Sequence, residues 1–438
     1  MSVSREENQP FYFLVVFWGS EYRGYFTDIC LASLLANGNI PSLDPGRKNR
    51  FIICTTRVDW DELQGHALIS LLKNYIEIEW VEMTFPEPGD LKMLVMSKGH
   101  RSLSARAFED RAYGVFLTPD LMLSDGSVAA LQRLASAGKQ VVLVVAIRFG
   151  YEKLQPALQM AGYMKQGQPM TVTPRELMRL ALPSLHSETL RYEFDKPYFA
   201  SSPISVYWQV PRGNGIIIYS FSWAPLLVNY GGLDAHCTDT FDKWTLDGDY
   251  VYRNFCEFRD IHVVADSDEI SLVSFTKESE LHYEFSYEYR NMNRWIAKFR
   301  KIQMVRTLRD SSVMDPLKRQ IFSTPVYLHS REITPVWKRT VSRTNRVIEQ
   351  VDVIHPVLER MAAVTVRFNR ILAVIRKGSI RPHLATWLDI RTKRFWPFLK
   401  PVLEQFGVHE KVRRRAIFVI EWVRVGRQSR YRSSSLEK

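Results

Sequence analysis

The chain has 438 residues, of which 46% are apolar, 24% charged and 12% aromatic. This composition excludes a disordered, collagen-like or low-complexity chain, because enough apolar surface is present to bury a large core, and the length favours two or three domains. The net charge of +12 is concentrated at one end. Residues 367–438 hold 18 Lys and Arg against 5 Asp and Glu, whereas the remaining residues hold 41 against 42.

Five apolar runs in the first 150 residues predict strands. The run FYFLVVFW (11–18) is rich in aromatic and β-branched residues, which is typical of a strand buried on both faces. The other runs are RFIICTT (50–56), EIEWVEM (77–83), YGVFLTPD (113–120) and QVVLVVAI (140–147). Helical spacing of apolar residues predicts helices between the strands, over 21–36, 61–75, 92–111 and 127–137. Alternation of this kind predicts an α/β fold with a mostly parallel sheet sandwiched by helices.

The rest of the chain departs from this alternation. Two strand-like runs, 204–210 and 215–221, flank a turn and predict an antiparallel element added to the sheet. From about residue 278 the pattern becomes helical, most clearly over 356–377, which begins with Pro356 and is followed by Gly378. We therefore expect one α/β domain over 1–277 and an all-helical, basic appendage over 278–438.

The compartment is inferred from the apolar runs and the cysteines. No stretch reaches 18 uninterrupted apolar residues, and the eight residues 11–18 are too few to span a bilayer. The four cysteines contain no C-x-x-C pair, which favours buried thiols in a reducing compartment. We expect a cytoplasmic protein, either free or peripheral at the inner face of a membrane.

Polar residues that follow the predicted strands are the first candidates for a binding site. Ligands of open α/β sheets bind beyond the carboxyl ends of the strands, where the strand order reverses. That rule selects Trp18-Gly19-Ser20, Thr55-Thr56-Arg57 with Asp59, and Thr118-Pro119-Asp120. The phosphate-binding patterns G-x-G-x-x-G after the first strand and G-x-x-x-x-G-K-[ST] are absent from the sequence, which argues against those two types of nucleotide site.

At this point the sequence resembles a known family. The stretch LKMLVMSKGHRSLSARAFEDRAYGVFLTPDLMLSDGSVAALQRL (91–134) is similar to the centre of the nucleotide-sugar glycosyltransferases of the A type, GT-A. The opening VVFWGSEYRGYFTDICLASLLANGNIP (15–41) is similar to that family's first strand and following helix. The resemblance covers roughly residues 11–150, extends loosely to about 277 and is absent from the C-terminal segment. It implies a GT-A-like fold and transfer of a sugar from a nucleotide-diphosphate donor.

The resemblance also implies a divalent cation, Mn²⁺ or Mg²⁺, that bridges the diphosphate. The family's acidic motif is Asp-x-Asp, but this chain has Thr118 in the first position and Asp120 in the third. One carboxylate together with phosphate oxygens can still hold such an ion. We expect Asp120 as the main ligand and Asp125 from the next turn, although both could be ordinary turn and cap residues. His236 is a further candidate ligand, as is His329.

A nucleotide pocket is expected at the first two strand ends. The resemblance implies that Trp18, beside Gly19, or Tyr22 stacks the base and that Thr55 or Thr56 bonds the ribose. The basic residues expected to meet the nucleotide's charge are Arg57, Lys98 and Arg101, since arginine pairs with phosphate through two hydrogen bonds. The alternatives are that Trp18 is an aromatic side chain of the core and that Lys98 and Arg101 lie on a solvated face of a helix.

A general base is expected downstream. The segment Trp244–Tyr250 is similar to the acidic pair of inverting members, which predicts Asp247 or Asp249 as the base and Tyr250 as a wall of the acceptor pocket. An ordinary Asp-Gly turn explains the same residues. The later group Asp266-Ser267-Asp268-Glu269 predicts a solvated loop.

The basic tail over 391–432 interleaves Arg and Lys with Trp and Phe. Such a composition is typical of a helix at an anionic membrane surface, but it also fits a packed appendage with a basic outer face. Binding of nucleic acid is less favoured, because the run 416–423 is apolar on all sides. We therefore expect a glycosyltransferase that acts on a glycan or lipid-linked acceptor. The alternative is a GT-A-like binding or assembly protein that has lost catalysis.

Overall fold

The computed structural model describes residues 9–87, 89–212, 215–242, 245–246, 250–280, 286–290, 294–311 and 320–353. The strands of this part are β1 Phe11–Val16, β2 Arg50–Thr55, β3 Glu77–Glu82, β4 Tyr113–Leu117, β5 Leu121–Leu123, β6 Val141–Val145, β7 Arg148–Gly150, β8 Tyr198–Ala200, β9 Ser205–Gln209, β10 Gly215–Ser220, β11 Trp223–Asn229, β12 Ile261–Val263, β13 Leu272–Thr276, β14 Ser286–Glu288 and β15 Val326–His329.

A seven-stranded sheet forms the centre of the fold, in the order β12-β6-β11-β4-β1-β2-β3. Strand β1 lies between β2 and β4 and is parallel to both, and every residue of β1 is buried. Apolar side chains on both faces of such a strand stabilise the fold by about 1.5–3 kcal/mol each. The predicted α/β fold with a mostly parallel sheet between helices is confirmed.

One strand of the sheet runs against the others. Strand β11 is antiparallel to both β4 and β6, and its register shifts between Pro225 and Leu227. A proline has no N–H for the ladder, so an irregularity at this position lets the strand lie inside the sheet. The sequence indicates an added antiparallel element, but the strand inserted into the sheet is β11. The predicted pair, β9 and β10, is antiparallel as expected and forms a separate three-stranded sheet with β15.

The helices of the described residues are α1 Ser20–Tyr25, α2 Ala32–Leu34, α3 Arg57–Gln64, α4 Ala67–Leu72, α5 Lys92–Glu109, α6 Ser127–Ser136, α7 Tyr151–Met160, α8 Pro174–Ala181, α9 Ser187–Leu190, α10 Tyr250–Asn254, α11 Arg294–Ser311 and α12 Pro335–Val353. A π-helical segment, Phe26–Leu31, joins α1 to α2, so the helix predicted over 21–36 is continuous but wider at its centre. The helix predicted over 61–75 is two helices, α3 and α4, which meet at Gly65 and His66.

A second apolar cluster lies on the sheet formed by β9, β10 and β15. Trp208, Tyr219, Phe322 and Trp337 are among its buried aromatic side chains. The described residues of 278–353 contain α11 and α12 but also β14 and β15, which pair with β8 and β10. This part is therefore mainly helical and not all-helical as predicted, and the domain boundary at 278 stays a prediction. The helix predicted over 356–377 and the basic tail over 391–432 lie outside the described residues.

The four cysteines are free thiols. Cys30 and Cys54 are buried as expected, whereas Cys237 is half-buried and Cys256 is exposed. Among the helices of the described residues, none combines the length and the apolar character that crossing a membrane requires.

Candidate functional site

The carboxyl ends of β1, β2 and β4 meet at one edge of the central sheet. These strands are neighbours and run in the same direction, so the residues that follow them emerge side by side. Three predicted segments lie at these ends: Trp18-Gly19 follows β1, Thr55-Thr56-Arg57 begins with the last residue of β2, and Asp120 follows β4. The structure therefore brings the three predicted segments to a common edge, which we call the carboxyl edge.

Asp59 fastens the loop after β1 to the start of α3. Its Oδ2 accepts hydrogen bonds from the backbone N–H of Gly19 at 2.8 Å and from the hydroxyl of Thr56 at 2.7 Å. Its Oδ1 accepts a hydrogen bond from Arg23 Nη1 at 2.6 Å. The carboxylate side chain is only 3% exposed. Each of its oxygens thus has a donor already, so Asp59 positions the loop and Thr56 is engaged with it.

Gly19 has a backbone conformation that other residues rarely adopt. Its φ is 85° and its ψ is 154°, a region that is essentially restricted to glycine. Apart from Gly19 and its two neighbours, no described residue has an atom within 4 Å of the place where a Cβ would stand. The glycine is therefore required by the path of the backbone and not by a lack of space. Trp18, the residue before it, is half-buried, so part of its surface is accessible to solvent.

Arg57 stacks on a pair of tryptophans that the sequence reasoning missed. The guanidinium carbon lies 4.6 Å from the centre of the Trp80 ring, and Trp80 lies parallel to Trp60 at 5.6 Å. Trp80 Nε1 donates a hydrogen bond to the carbonyl of Thr55 at 3.2 Å. Arg57 itself is exposed. Stacking fixes the plane of its guanidinium but leaves the N–H groups in that plane able to donate hydrogen bonds to an anion.

Thr55 is fully buried at the end of β2. Its Oγ1 has no hydrogen-bond partner among the described residues. A buried hydroxyl without a partner costs free energy. Because the side chain is not exposed to solvent, a ribose does not reach Oγ1 in this conformation, and the contact implied by the resemblance stays a prediction.

Asp120 has one carboxylate oxygen engaged by a neighbouring side chain. Its Oδ2 accepts one hydrogen bond, from Ser274 Oγ at 2.9 Å, and its backbone carbonyl accepts another from Phe275 N at 2.9 Å. Among the described residues, Ser274 is the one side chain that donates to it. The second carboxylate oxygen is thus left for other ligands.

Negative charge collects around Tyr22, which lies on α1 and is half-buried. Burial raises the pKa of its hydroxyl, and the negative charges of Glu280, Asp120 and Glu21 raise it further. Lys277 forms an ion pair with Glu21 and, chiefly through the hydrogen bond in that pair, lowers the pKa of this carboxyl. Ser274, Lys277 and Glu280 all come from the end of β13 and the residues after it, a contribution that no motif in the sequence signals.

The predicted ligands Asp125 and His236 have other partners. Asp125 Oδ1 accepts a hydrogen bond from the backbone N–H of Gly38 at 2.7 Å. A Cβ at Gly38 would lie 2.8 Å from that same oxygen, so the segments around Gly38 and Asp125 are in close contact. Asp125 therefore holds the loop at Gly38, and its role as a metal ligand stays a prediction.

His236 belongs to a buried hydrogen-bonded chain. Its Nε2 lies 2.8 Å from the hydroxyl of Tyr250, which in turn lies 2.6 Å from the hydroxyl of Tyr230. Burial lowers the pKa of His236 to about 4. Tyr250 is fully buried, so its predicted place as a wall of an acceptor pocket is wrong. Asp247 and Asp249, the predicted bases, lie outside the described residues.

Lys98 and Arg101 lie on α5 and differ in their engagement. Lys98 is exposed, as expected for a solvated helix face. Arg101 Nη2 donates to Asp242 Oδ1 at 2.5 Å and to the carbonyl of Thr238 at 3.2 Å. Arg101 thus joins α5 to the segment 238–242. Within the part of the chain that the structure describes, Arg101 has an acidic partner and Lys98 has none.

A different group of side chains has the arrangement of a metal site. Ligand atoms of Asp266, Asp268 and His329 all lie within 4.8 Å of one another. Among the described residues, this is the one group of three His, Cys, Asp or Glu side chains whose ligand atoms come this close. The predicted ligands Asp120, Asp125 and His236 do not form such a group. The predicted solvated loop at 266–269 is half-buried at Asp266, because that carboxylate contacts His329.

Comparisons with known proteins add little to this geometry. No protein-family model and no curated protein matches the chain. Among solved structures, the chain is similar to mouse xyloside xylosyltransferase 1 in its apo form, with 11% identity and a TM-score of 0.23. The matched region covers 36% of this chain and 61% of that chain, so this chain spans less than two thirds of that protein's structure. A likeness of this size does not identify a family.

Proposed function

We propose that this chain is a GT-A-like glycosyltransferase that transfers a sugar from a nucleotide-diphosphate donor to a glycan or lipid-linked acceptor. The observation that carries the proposal is the convergence of Trp18, Thr55, Arg57 and Asp120 at the carboxyl edge of the sheet. Open α/β sheets bind their ligands at this edge. The chemistry of the convergent side chains suits a nucleotide: an aromatic ring, a hydroxyl, a guanidinium and a carboxylate.

The donor would be held by groups with different roles. Arg57 is oriented by Trp80 and exposed, so it can donate to phosphate oxygens. Lys98 adds an exposed positive charge from α5. Trp18 offers a half-buried ring on which a base can stack. Thr55 has a buried hydroxyl without a described partner, and a ribose hydroxyl would bond it only after the residues that enclose it move.

A divalent cation fits the surroundings of Asp120. One of its carboxylate oxygens lacks a described donor, and Glu280 adds negative charge near Tyr22. Hard cations such as Mn²⁺ and Mg²⁺ prefer oxygen ligands of this kind. When bound, such an ion would offset the charge of the donor's diphosphate. Ser274 holds Asp120 through Oδ2, which leaves Oδ1 as the oxygen that would bind the ion.

The acceptor side of the proposal rests on the sequence. Asp247 or Asp249 would take the proton of the acceptor hydroxyl, as the resemblance to inverting enzymes implies. The basic tail over 391–432 would bring the enzyme to an anionic membrane surface where lipid-linked acceptors are found.

The second candidate function is a GT-A-like binding protein without catalysis. The observation in its favour is Thr118, which stands where the family's motif has a carboxylate. Such a protein would bind a nucleotide sugar and not cleave it.

Two measurements on the full-length chain test these proposals. The first is the melting temperature with uridine, guanosine and cytidine diphosphates, each with and without Mn²⁺. A rise of several degrees with one base supports a donor site, and no rise with any of them contradicts it. The second is hydrolysis of the matching nucleotide sugar. Hydrolysis that is lost in Asp120→Asn and retained in Asp234→Asn, an exposed control, supports the enzyme over the binding protein.

A further inference from the structure

The turn that follows β12 is held rigidly against β15. The backbone N–H of Ser267 donates to the carbonyl of Tyr327 at 2.9 Å, and the N–H of Tyr327 donates to the carbonyl of Ala265 at 2.8 Å. The N–H of His329 donates to Ser267 Oγ at 3.1 Å. Ser267 is thus fixed from both sides. Asp266 and Asp268, its two neighbours, are positioned by the same hydrogen bonds.

His329 is oriented so that one ring nitrogen faces these carboxylates. Its Nδ1 lies 2.7 Å from the carbonyl of Arg331 and can only donate to it. Its Nε2 then points to Asp266 Oδ1 at 2.8 Å. The side chain is 1% exposed, and the ring of Trp337 packs against it at 5.7 Å. A histidine whose Nδ1–H bonds a backbone carbonyl and whose Nε2 faces carboxylates has the orientation found in metal-binding histidines.

Arg175 supplies a positive charge to the same place from α8. Its Nε and Nη2 donate to the carboxylate of Asp268 at 2.9–3.2 Å. Its Nη1 also lies 3.9 Å from Glu332 Oε1, which is highly exposed. Arg175 therefore has a second carboxylate within reach. A guanidinium that leaves Asp268 would not be left without a partner.

We propose that Asp266, Asp268 and His329 bind a transition-metal dication, Zn²⁺ or Mn²⁺, and that Arg175 moves to Glu332 when the ion binds. The ion binds Nε2 of His329 in place of its proton, which is released to solvent. It also binds one or more oxygens of each aspartate. An imidazole with two carboxylates suits Zn²⁺ and Mn²⁺ better than Mg²⁺ or Ca²⁺, which prefer ligands made of oxygen alone.

This site differs in place from the proposed donor site. Asp120 contacts Ser274 and Phe275 near one end of β13. Asp266 and Asp268 precede the other end, where Ser271 contacts Ser124. The ion would join the turn after β12 to β15. Its role would therefore be to stabilise the packing of the sheet of β9, β10 and β15 against β12, the outermost strand of the central sheet.

The test uses the full-length chain freed of metal with a chelator. Titration calorimetry with ZnCl₂, MnCl₂ and MgCl₂, and the visible absorption of a CoCl₂ complex, measure binding. We expect saturable binding of Zn²⁺ and a Co²⁺ band, with at least about tenfold weaker affinity in Asp268→Asn and in His329→Gln. Circular dichroism checks that both variants are folded. Arg175→Gln should tighten binding by about twofold to fivefold, because it removes a competing exposed ion pair.

The matched control is Glu269→Gln, which removes a negative charge from the next residue of the same turn. Its partner is His262, at 2.9 Å, and we expect its affinity for Zn²⁺ to equal that of the unaltered chain. Asp120→Asn should also leave this binding unchanged. The proposal is overturned if Zn²⁺ does not bind, if Asp268→Asn and Glu269→Gln weaken binding equally, or if binding is lost in Asp120→Asn instead.

Discussion

Two carboxylates stand at the carboxyl edge of the central sheet, and their surroundings are opposite. Asp59, after β2, is 3% exposed and accepts hydrogen bonds from Gly19, Thr56 and Arg23. Asp120, after β4, is half-buried and accepts one hydrogen bond through its side chain, from Ser274. A carboxylate whose oxygens are all bonded within the protein holds the fold together. A carboxylate with a free oxygen is able to bind something else.

The largest effect is expected when the engaged carboxylate is removed. Asp59→Ala leaves Arg23 and the N–H of Gly19 without their acceptor, and removing one partner of a buried ion pair costs about 3 kcal/mol. The free energy of unfolding, measured with urea, should fall by that amount. Asp61→Ala, an exposed aspartate on the same helix, should change it by less than about 0.5 kcal/mol. Equal effects of the two would show that Asp59 is not the residue that holds this loop.

The second prediction concerns the loop that Asp59 holds. Gly19→Ala places a Cβ in a conformation that only glycine adopts readily, and the strain should lower the free energy of unfolding by about 2 kcal/mol. Gly24→Ala is the matched control, because Gly24 lies in α1 and, beyond the backbone of its own helix, no described residue has an atom within 4 Å of the new Cβ. That change should stabilise the protein by roughly 0.5–1 kcal/mol, since alanine favours a helix. Urea denaturation of both variants compares them, and destabilisation by both would contradict the backbone argument.

The third prediction uses a histidine that sequence reasoning assigned to the metal. The pKa of His236 is about 4 in the folded protein because of burial, and about 6.5 when unfolded. Between those values the unfolded chain binds more protons, so stability should fall as the pH drops from 6.5 to 4. Because the side chain is partly exposed, we expect His236 to contribute about 1 kcal/mol to this fall.

His236→Gln should remove that part of the pH dependence, measured as the difference between melting temperatures at pH 7 and pH 5. Tyr250→Phe removes the hydrogen bond to His236 and keeps the burial. It should therefore retain the pH dependence. If Tyr250→Phe removes it as well, the hydrogen bond and not burial lowers the pKa.

The sheet was predictable because burial on both faces leaves a simple pattern. The runs at 11–18 and 140–147 are continuous apolar segments, and they became β1 and β6. Strand β11 was missed because Pro225 interrupts its run and because only two residues, 221 and 222, separate it from β10. The sequence therefore predicts buried parallel strands well and gives a weaker signal for an irregular strand inserted between them.

The site was predictable only in part, because its residues come from distant segments. The rule about strand ends correctly placed Gly19, Thr55 and Asp120 at one edge. It could not show the partners of these residues. The hydrogen bond from Gly19 to Asp59, the stacking of Arg57 on Trp80 and the hydrogen bond from Ser274 to Asp120 appear only in the structure. Such partners are set by tertiary packing, which leaves no periodic signal in the chain. For the same reason Asp266 and His329, 63 residues apart, could not be paired beforehand.

The smallest effect on stability is expected at the open carboxylate. Asp120→Asn keeps an oxygen that can accept the hydrogen bond from Ser274, and it removes a negative charge near Glu280 and Tyr22. The free energy of unfolding should therefore change by less than about 0.5 kcal/mol. The same change should abolish any Mn²⁺-dependent rise in melting temperature with a nucleoside diphosphate.

This pair of results separates the two carboxylates directly. A residue that holds the fold loses stability first, and a residue that binds a ligand loses the ligand's effect while stability stays the same. If Asp120→Asn lowers the free energy of unfolding as strongly as Asp59→Ala, the second oxygen of Asp120 is also bonded by a protein group. Asp120 would then stabilise the fold, as Asp59 does. If stability and nucleotide protection are both unchanged, the donor does not depend on Asp120, and the threonine at position 118 marks a site without a cation.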